Sequence, residues 1–338
     1  TGQNDPLIHF YEPFLAAYSP ALRKSRGVWY TPQPVVNFIV RAVDDILKTE
    51  FNLPQGLADT SKVKVKYKAV TQATADKRSK TKEVEAEREV HKVQILDPAT
   101  GTGTFLAEVI RQMHSKFKGM EGMWPNYVEE HLLPRINGFE LLMASYAMAH
   151  LKLDMVLRET GVDTSKLNKR LRVFLTNSLE EADETVPDLF TAALAREAAE
   201  ANEVKRNTPV MVVLGNPPYS GLSKNNGEWI SRLIDDYKYV DGEHFNERKH
   251  WLNDDYVKFM RTAEHYISRY GEGVMAFINN HSFLDNPTFR GMRWHLLNTY
   301  DKIYIIDLHG NSLKKEVTPE GDKDENVFDI QAGVSINL

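Results

Sequence analysis

The chain has 338 residues, 42% of them hydrophobic and 26% charged, with a formal net charge of −5. That length fits one large α/β unit with insertions or two modest ones, and no apolar run reaches the roughly 18 residues that span a bilayer, so a soluble chain with no membrane partner is expected. Cysteine is absent, which excludes disulfides, thiolate metal sites and cysteine nucleophiles together and suits a cytoplasmic setting.

The chain opens Thr1-Gly2-Gln3, with no initiator methionine and no signal-peptide pattern, as a piece of a longer protein would. Pro34–Phe51 places Val35, Val36, Ile39, Val40, Val43, Ile46 and Leu47 at helical spacing behind Pro32 and Pro34, which predicts an amphipathic helix. Residues 62–70 alternate strictly and predict an exposed strand; the polar stretch to Glu89 either completes a hairpin or stays mobile. Residues 61–92 hold eight Lys and two Arg against one Asp and four Glu, a local net charge of +5. A solvated hairpin accounts for such a run at least as well as a phosphate-binding arm, so charge leaves the partner open.

From residue 93 onward short apolar runs alternate with helical stretches, the pattern of βαβ units and a mostly parallel sheet. Strands are predicted at Val93–Asp97, Arg135–Glu140, Leu171–Thr176, Val210–Gly215, Gly273–Asn279, Lys302–Leu308 and Ala332–Leu338. Helices are predicted at Gly103–Lys118, Leu142–Arg158, Pro187–Asn202, Asp254–Tyr270 and Pro287–Asn298. The connections Tyr219–Asn253 and Gly310–Asp329 read as too polar for core, and such long connections tend to be lids or disordered segments. The implied organisation is an N-terminal helical segment (1–53), a basic insertion (54–92) and an α/β core (93–338).

Two motifs carry chemistry. Leu96–Phe105 (LDPATGTGTF) is a strand end, a glycine turn and a helix start, a place where backbone can approach a ligand closely. Leu106 stands where a dinucleotide fingerprint needs its third glycine, and Asp97 would repel a pyrophosphate. An acidic residue there suits a cationic ligand such as the amino group or sulfonium of S-adenosylmethionine. Gly215-Asn216-Pro217-Pro218-Tyr219 follows an apolar strand directly. Its two prolines fix the backbone and remove two N–H donors. Asn216 and the Pro217 carbonyl could each accept one N–H of a planar amine, with Tyr219 stacked on its ring.

Asp97–Phe105 followed by Gly215–Tyr219 resembles the cofactor and catalytic motifs of amino-methyltransferases. The order is that of the gamma class of adenine methyltransferases, whose further cofactor motif matches Gly27-Val28-Trp29-Tyr30-Thr31-Pro32. The resemblance implies a Rossmann-like class I fold dependent on S-adenosylmethionine, with a mostly parallel seven-stranded sheet and helices on both faces. It places Asn216, Pro217, Pro218 and Tyr219 in catalysis. It places Tyr30, Thr31, Pro32, Asp97, Pro98, Ala99, Thr100, Gly101, Gly103, Thr104, Phe105 and Asn216 around the cofactor, Glu140 on its ribose, and Asn177 and Ser178 near its adenine. Many relatives carry Asp where Asn177 stands. Residues 273–284 (GVMAFINNHSFL) resemble the strand motif that walls the target pocket; Phe283 there could face the flipped base or the core.

Residues 9–36, 96–106 and 307–336 more narrowly resemble the methylase region of Type ISP single-polypeptide restriction–modification enzymes. That implies double-stranded DNA with a flipped adenine as substrate, and nuclease, ATPase and target-recognition segments elsewhere on the same polypeptide, the last apparently absent from this chain. No Walker lysine motif, no Gly-x-Ser-x-Gly elbow and no metal spacing among the eleven histidines is present, so no metal is expected. Two rivals stay open: a methyltransferase acting on RNA adenine or protein glutamine, and a scaffold that keeps the fold without catalysis.

Overall fold

The structure, a computed structural model, describes residues 30–72, 81–182, 192–219, 223–245, 250–328 and 330–338. The motif residues Gly27, Val28 and Trp29 lie outside the described residues. Helix α1 (Gln33–Glu50) buries Val36, Ile39, Val40, Val43 and Leu47, the stripe its spacing predicts. Strands β1 (Lys62–Gln72) and β2 (Thr81–His91) pair antiparallel, with Lys64 opposite Glu89 and Lys66 opposite Glu87.

Seven further strands form the central sheet: β3 (Gln94–Asp97), β4 (Ile136–Glu140), β5 (Arg172–Leu175), β6 (Val210–Gly215), β7 (Val274–Asn280), β8 (Ile305–Asp307) and β9 (Val334–Asn337). Their order is β8-β9-β7-β6-β3-β4-β5. Strands β3 to β7 pair in parallel, while β9 runs antiparallel to both β7 and β8. A parallel sheet buries both faces, so its strands read as continuous apolar runs. Alternate residues enter different clusters: Ile95, Val212 and Ala276 meet Val43, Ile110 and Leu153, whereas Leu96, Val213 and Phe277 meet Val204, Ile234 and Val257. The first set belongs to α1, α2 (Thr104–His114) and α3 (Met143–Glu159); the second belongs to α4 (Ala192–Asn207), α5 (Glu228–Asp235) and α6 (Asp255–Tyr270), joined by α7 (Arg290–Thr299) through Leu296. Helices therefore cover both faces. A bulge at Met211, where Gln94 opposes Val210 but Ile95 opposes Val212, puts two successive residues of β6 on one face.

The expected polarity of Tyr219–Asn253 does not hold. Ile230, Ile234, Tyr237 and Leu252 are all buried; α5 has only eight residues, too few for its apolar side to stand out among polar neighbours. Phe328 and Asn311 are likewise buried within the connection 310–329. At the sheet edge, Ile303, Tyr304, Ile305 and Ile306 are exposed. Among the described residues no helix is long and apolar enough to cross a membrane.

The chain order reverses between β3 and β6. From β3 it steps outward to β4 and β5; from β6 it steps the other way to β7. The crevice beyond the carboxyl ends of two such strands is where open α/β sheets hold ligands, and both chemistry-bearing motifs end there.

Candidate active site

The glycine turn is tied to the neighbouring strand at several points. Thr100 N–H donates to the Phe139 carbonyl (3.0 Å), and Thr100 Oγ1 donates to the Asp97 carbonyl (3.0 Å). The Glu140 carboxylate accepts from Gly101 N–H (2.8 Å) and Leu142 N–H (2.7 Å). Gly103, in the left-handed region at φ 80°, starts α2; a Cβ there would lie 3.4 Å from Ala149 on α3. Its positive φ, more than any lack of room, favours glycine there.

Asp97 is fully buried at the end of β3. One oxygen accepts Ala99 N–H (3.1 Å), while Oδ2 has no hydrogen-bond partner among the described residues. Burial pushes its carboxyl up to about 8 against the Ala99 bond, helped by the nearby Glu140 charge. Burial also raises Glu140, to about 7, despite its backbone donors. Both shifts belong to buried carboxylates with no cation beside them among the described residues.

The second motif closes on the first. A Cβ on Gly215 would sit 2.8 Å from Asp97 Oδ1, so only glycine lets the end of β6 come this near. Asn216, half-buried, donates from Nδ2 to Thr31 Oγ1 (2.9 Å) and accepts at Oδ1 from the Tyr219 hydroxyl (2.6 Å). That hydroxyl is also 3.1 Å from the Ile278 carbonyl on β7. The Tyr219 ring meets Phe328 edge-on at 6.2 Å between centroids. Burial, then the Asp254 charge, holds the Tyr219 hydroxyl well above its ordinary range. Pro217 is buried and Pro218 half-buried beside them.

The other expected residues divide. Tyr30 and Pro32 flank Thr31 at the start of α1, with Tyr30 half-buried. Ser178 donates to the Pro98 carbonyl (2.5 Å) and so ties the end of β5 to the turn. Asn177 Oδ1 accepts from Leu179 N–H (3.0 Å), while its Nδ2 donates to Glu180 (2.9 Å) and to Asn225 Oδ1 (3.1 Å). Thr104 accepts from the buried Lys152 (3.0 Å), and Phe105 joins the core. Phe283 packs into the core too. Sequence reasoning missed Phe328, hidden in a polar connection, and the Asn225–Asp255 bond (3.0 Å) that anchors the loop after Tyr219 to α6. It also missed Leu141, which is 45% exposed beside Glu140.

The family model described as the MmeI DNA-methyltransferase domain matches residues 71–303, more than half of the chain. The chain belongs to this DNA-methyltransferase family. A second model, the N-6 DNA methylases, matches residues 2–54, so the two DNA-methylase models together cover residues 2–54 and 71–303. The expected N6-type DNA methylase is thus met at the level of family, and a methyl donor comes with it. A Type II methyltransferase, M.BstVI of Geobacillus stearothermophilus, is 26% identical over 238 residues, 69% of this methyltransferase domain and 36% of the relative. The structure titled DrdV–DNA complex is 28% identical with a TM-score of 0.68, over 98% of this chain and 28% of that one. An ATP-dependent Type ISP restriction–modification enzyme, LlaBIII bound to DNA, is 26% identical with a TM-score of 0.73, over 98% of this chain and 20% of that one. The domain spans about a third or less of the length of these relatives.

Proposed function

We propose that this domain transfers a methyl group from S-adenosylmethionine to the exocyclic N6 of an adenine flipped out of duplex DNA, as the methylating part of a single-polypeptide restriction–modification enzyme. The observation that carries the proposal is the close approach of Gly215, the residue before Asn216, to Asp97 across the β3–β6 crevice. A fully buried carboxyl oxygen without a partner among the described residues fits a cationic, N–H-bearing cofactor. The chemistry supplied by that cofactor when bound is an electrophilic methyl group on a sulfonium. Asp97 would face its positive charge. Glu140 would accept its ribose hydroxyls, since each carboxylate oxygen keeps a second lone pair after its backbone bond. Tyr30, Pro32, the turn from Pro98 to Gly103, Asn177 and Ser178 complete the candidate cofactor side.

On the target side, the adenine amine is a weak nucleophile because its lone pair is delocalised into the ring. Asn216 Oδ1 and the Pro217 carbonyl, as acceptors of the two N6 hydrogens, draw that lone pair back onto nitrogen. Catalysis of this kind is orientation and electrostatics, with no titrating base required. Tyr219 must release Asn216 Oδ1 when the amine arrives, which frees its ring to stack. Extruding the base costs a few kcal/mol. Likeness to DNA-bound relatives that are three to five times longer supports flanking nuclease, ATPase and recognition segments.

The test is methyl transfer by the full polypeptide from labelled S-adenosylmethionine to unmethylated DNA, RNA and glutamine peptides, followed by nucleoside analysis. N6-methyldeoxyadenosine is the expected product. Asn216→Ala should lower the rate at least 100-fold, about 2.7 kcal/mol, with cofactor affinity kept. Methylation of RNA or peptide instead, or an Asn216→Ala rate near that of the parent, would remove the basis of the reading.

A further inference from the structure

We infer that Thr31 is a positioning residue for the target base, holding the Asn216 amide with its oxygen toward the incoming amine; this rests on the adenine reading above. An asparagine amide is nearly the same shape with its two ends exchanged, but only one orientation works here. With Oδ1 toward the pocket it accepts an N–H of adenine; with Nδ2 there, donor would face donor. In the structure Nδ2 faces Thr31, 185 positions away, and donates to its Oγ1 at 2.9 Å, while Oδ1 accepts from the Tyr219 hydroxyl at 2.6 Å.

Thr31 is 5% exposed and stands one residue before the N-cap of the helix. Here the N-cap residue is Pro32, no side chain caps, and the N–H groups of Val35 and Val36 both donate to the Pro32 carbonyl. The Thr31 hydroxyl turns to the end of β6 instead. Its mount is rigid, because α1 buries one whole face against α2 and the sheet. The segment expected to serve the cofactor thereby reaches into the target half of the site.

The test compares Thr31→Val, which keeps shape and loses the oxygen, with Thr31→Ser, which keeps the oxygen. Each is measured in the full polypeptide for methyl transfer to unmethylated DNA and, by calorimetry, for S-adenosylmethionine affinity; Thr31→Ala stands in if the valine variant fails to fold. Thr31→Val should lose at least 30-fold in rate with cofactor affinity within about threefold, and Thr31→Ser should recover most of the rate. Combined with Asn216→Ala, Thr31→Val should cost little more, because both act through one amide. An unchanged rate in Thr31→Val, a parallel loss of cofactor affinity, or a serine variant as poor as valine would each overturn the role. A parent protein that methylates no adenine would instead refute the adenine reading, and the role with it; parent activity alongside a failed Thr31 series leaves that reading standing.

Discussion

The sharpest perturbation available is one methyl group on Gly138. This residue lies in the middle of β4, in register with Asp97 on one side and Val173 on the other. A Cβ there would sit 2.5 Å from Thr100 Oγ1, 3.0 Å from Leu106 Cδ1 and 3.3 Å from Thr100 Cγ2. Thr100 cannot retreat cheaply, because its N–H is held by the Phe139 carbonyl and its hydroxyl by the Asp97 carbonyl. Overpacking of this kind costs about 1–3 kcal/mol, and pushing Thr100 out strains the neighbouring Gly101–Glu140 bond as well. Gly138→Ala should therefore lose about 2 kcal/mol of stability, a Tm shift of only a few degrees in a chain this long. It should also lose tenfold or more in S-adenosylmethionine affinity, about 1.4 kcal/mol. Thr100→Ala alone forfeits one hydrogen bond, about 1 kcal/mol, but opens the space, so the double variant should be more stable than the sum of the two losses. Denaturant unfolding and calorimetry on the four proteins close the cycle. Strict additivity, or cofactor affinity untouched in Gly138→Ala, would show that Thr100 does not transmit the clash to the turn.

Tyr219→Phe keeps the ring and removes the hydroxyl that occupies Asn216 Oδ1, so methyl transfer should persist within about threefold; Tyr219→Ala should lose far more, since stacking on an aromatic ring is worth about 1–3 kcal/mol per base. Equal losses in the two variants would assign the effect to the hydroxyl. Asp97 and Glu140 are raised from 3.8 to about 8 and from 4.5 to about 7, so the folded state holds protons that the unfolded chain releases. Their contribution to stability is fully present below their ordinary values and is lost as pH rises through about 7 and about 8. Without cofactor, the melting temperature should fall from pH 5 to pH 8 more steeply for the parent than for Asp97→Asn, and saturating S-adenosylmethionine should flatten the parent curve; parallel curves for parent and variant would refute it.

Much of this was legible in the sequence because parallel strands announce themselves. All seven central strands were placed to within a few residues, since strands covered on both faces leave unbroken apolar runs such as Val210–Leu214. The two motifs were legible for a different reason: glycine and proline are read from backbone demands, whatever surrounds them. What stayed hidden were features made by packing between distant segments. The buried side of α5 is two turns long, and Phe328 sits in a run of acidic and polar residues, so neither produces a period. The Thr31–Asn216 bond joins two recognised motifs, yet nothing in either says that they touch.

The lysine-rich run of residues 61–92 takes on a different meaning once its strands are in register. Lys64 and Lys66 each stand across from a glutamate, all four side chains exposed on one surface, and Lys62 reaches Glu89 diagonally at 3.8 Å. A phosphate backbone approaching from beyond a Debye length, about 10 Å in 0.1 M salt, would meet alternating signs that cancel rather than a cationic stripe. Opposed charges of this kind act as a ratchet on the hairpin: a slip of two residues exchanges each partner for another, but a slip of one sets lysines against the opposite face. These lysine–glutamate pairs therefore favour registers that keep the two charged faces together and add nothing to the net charge of the segment.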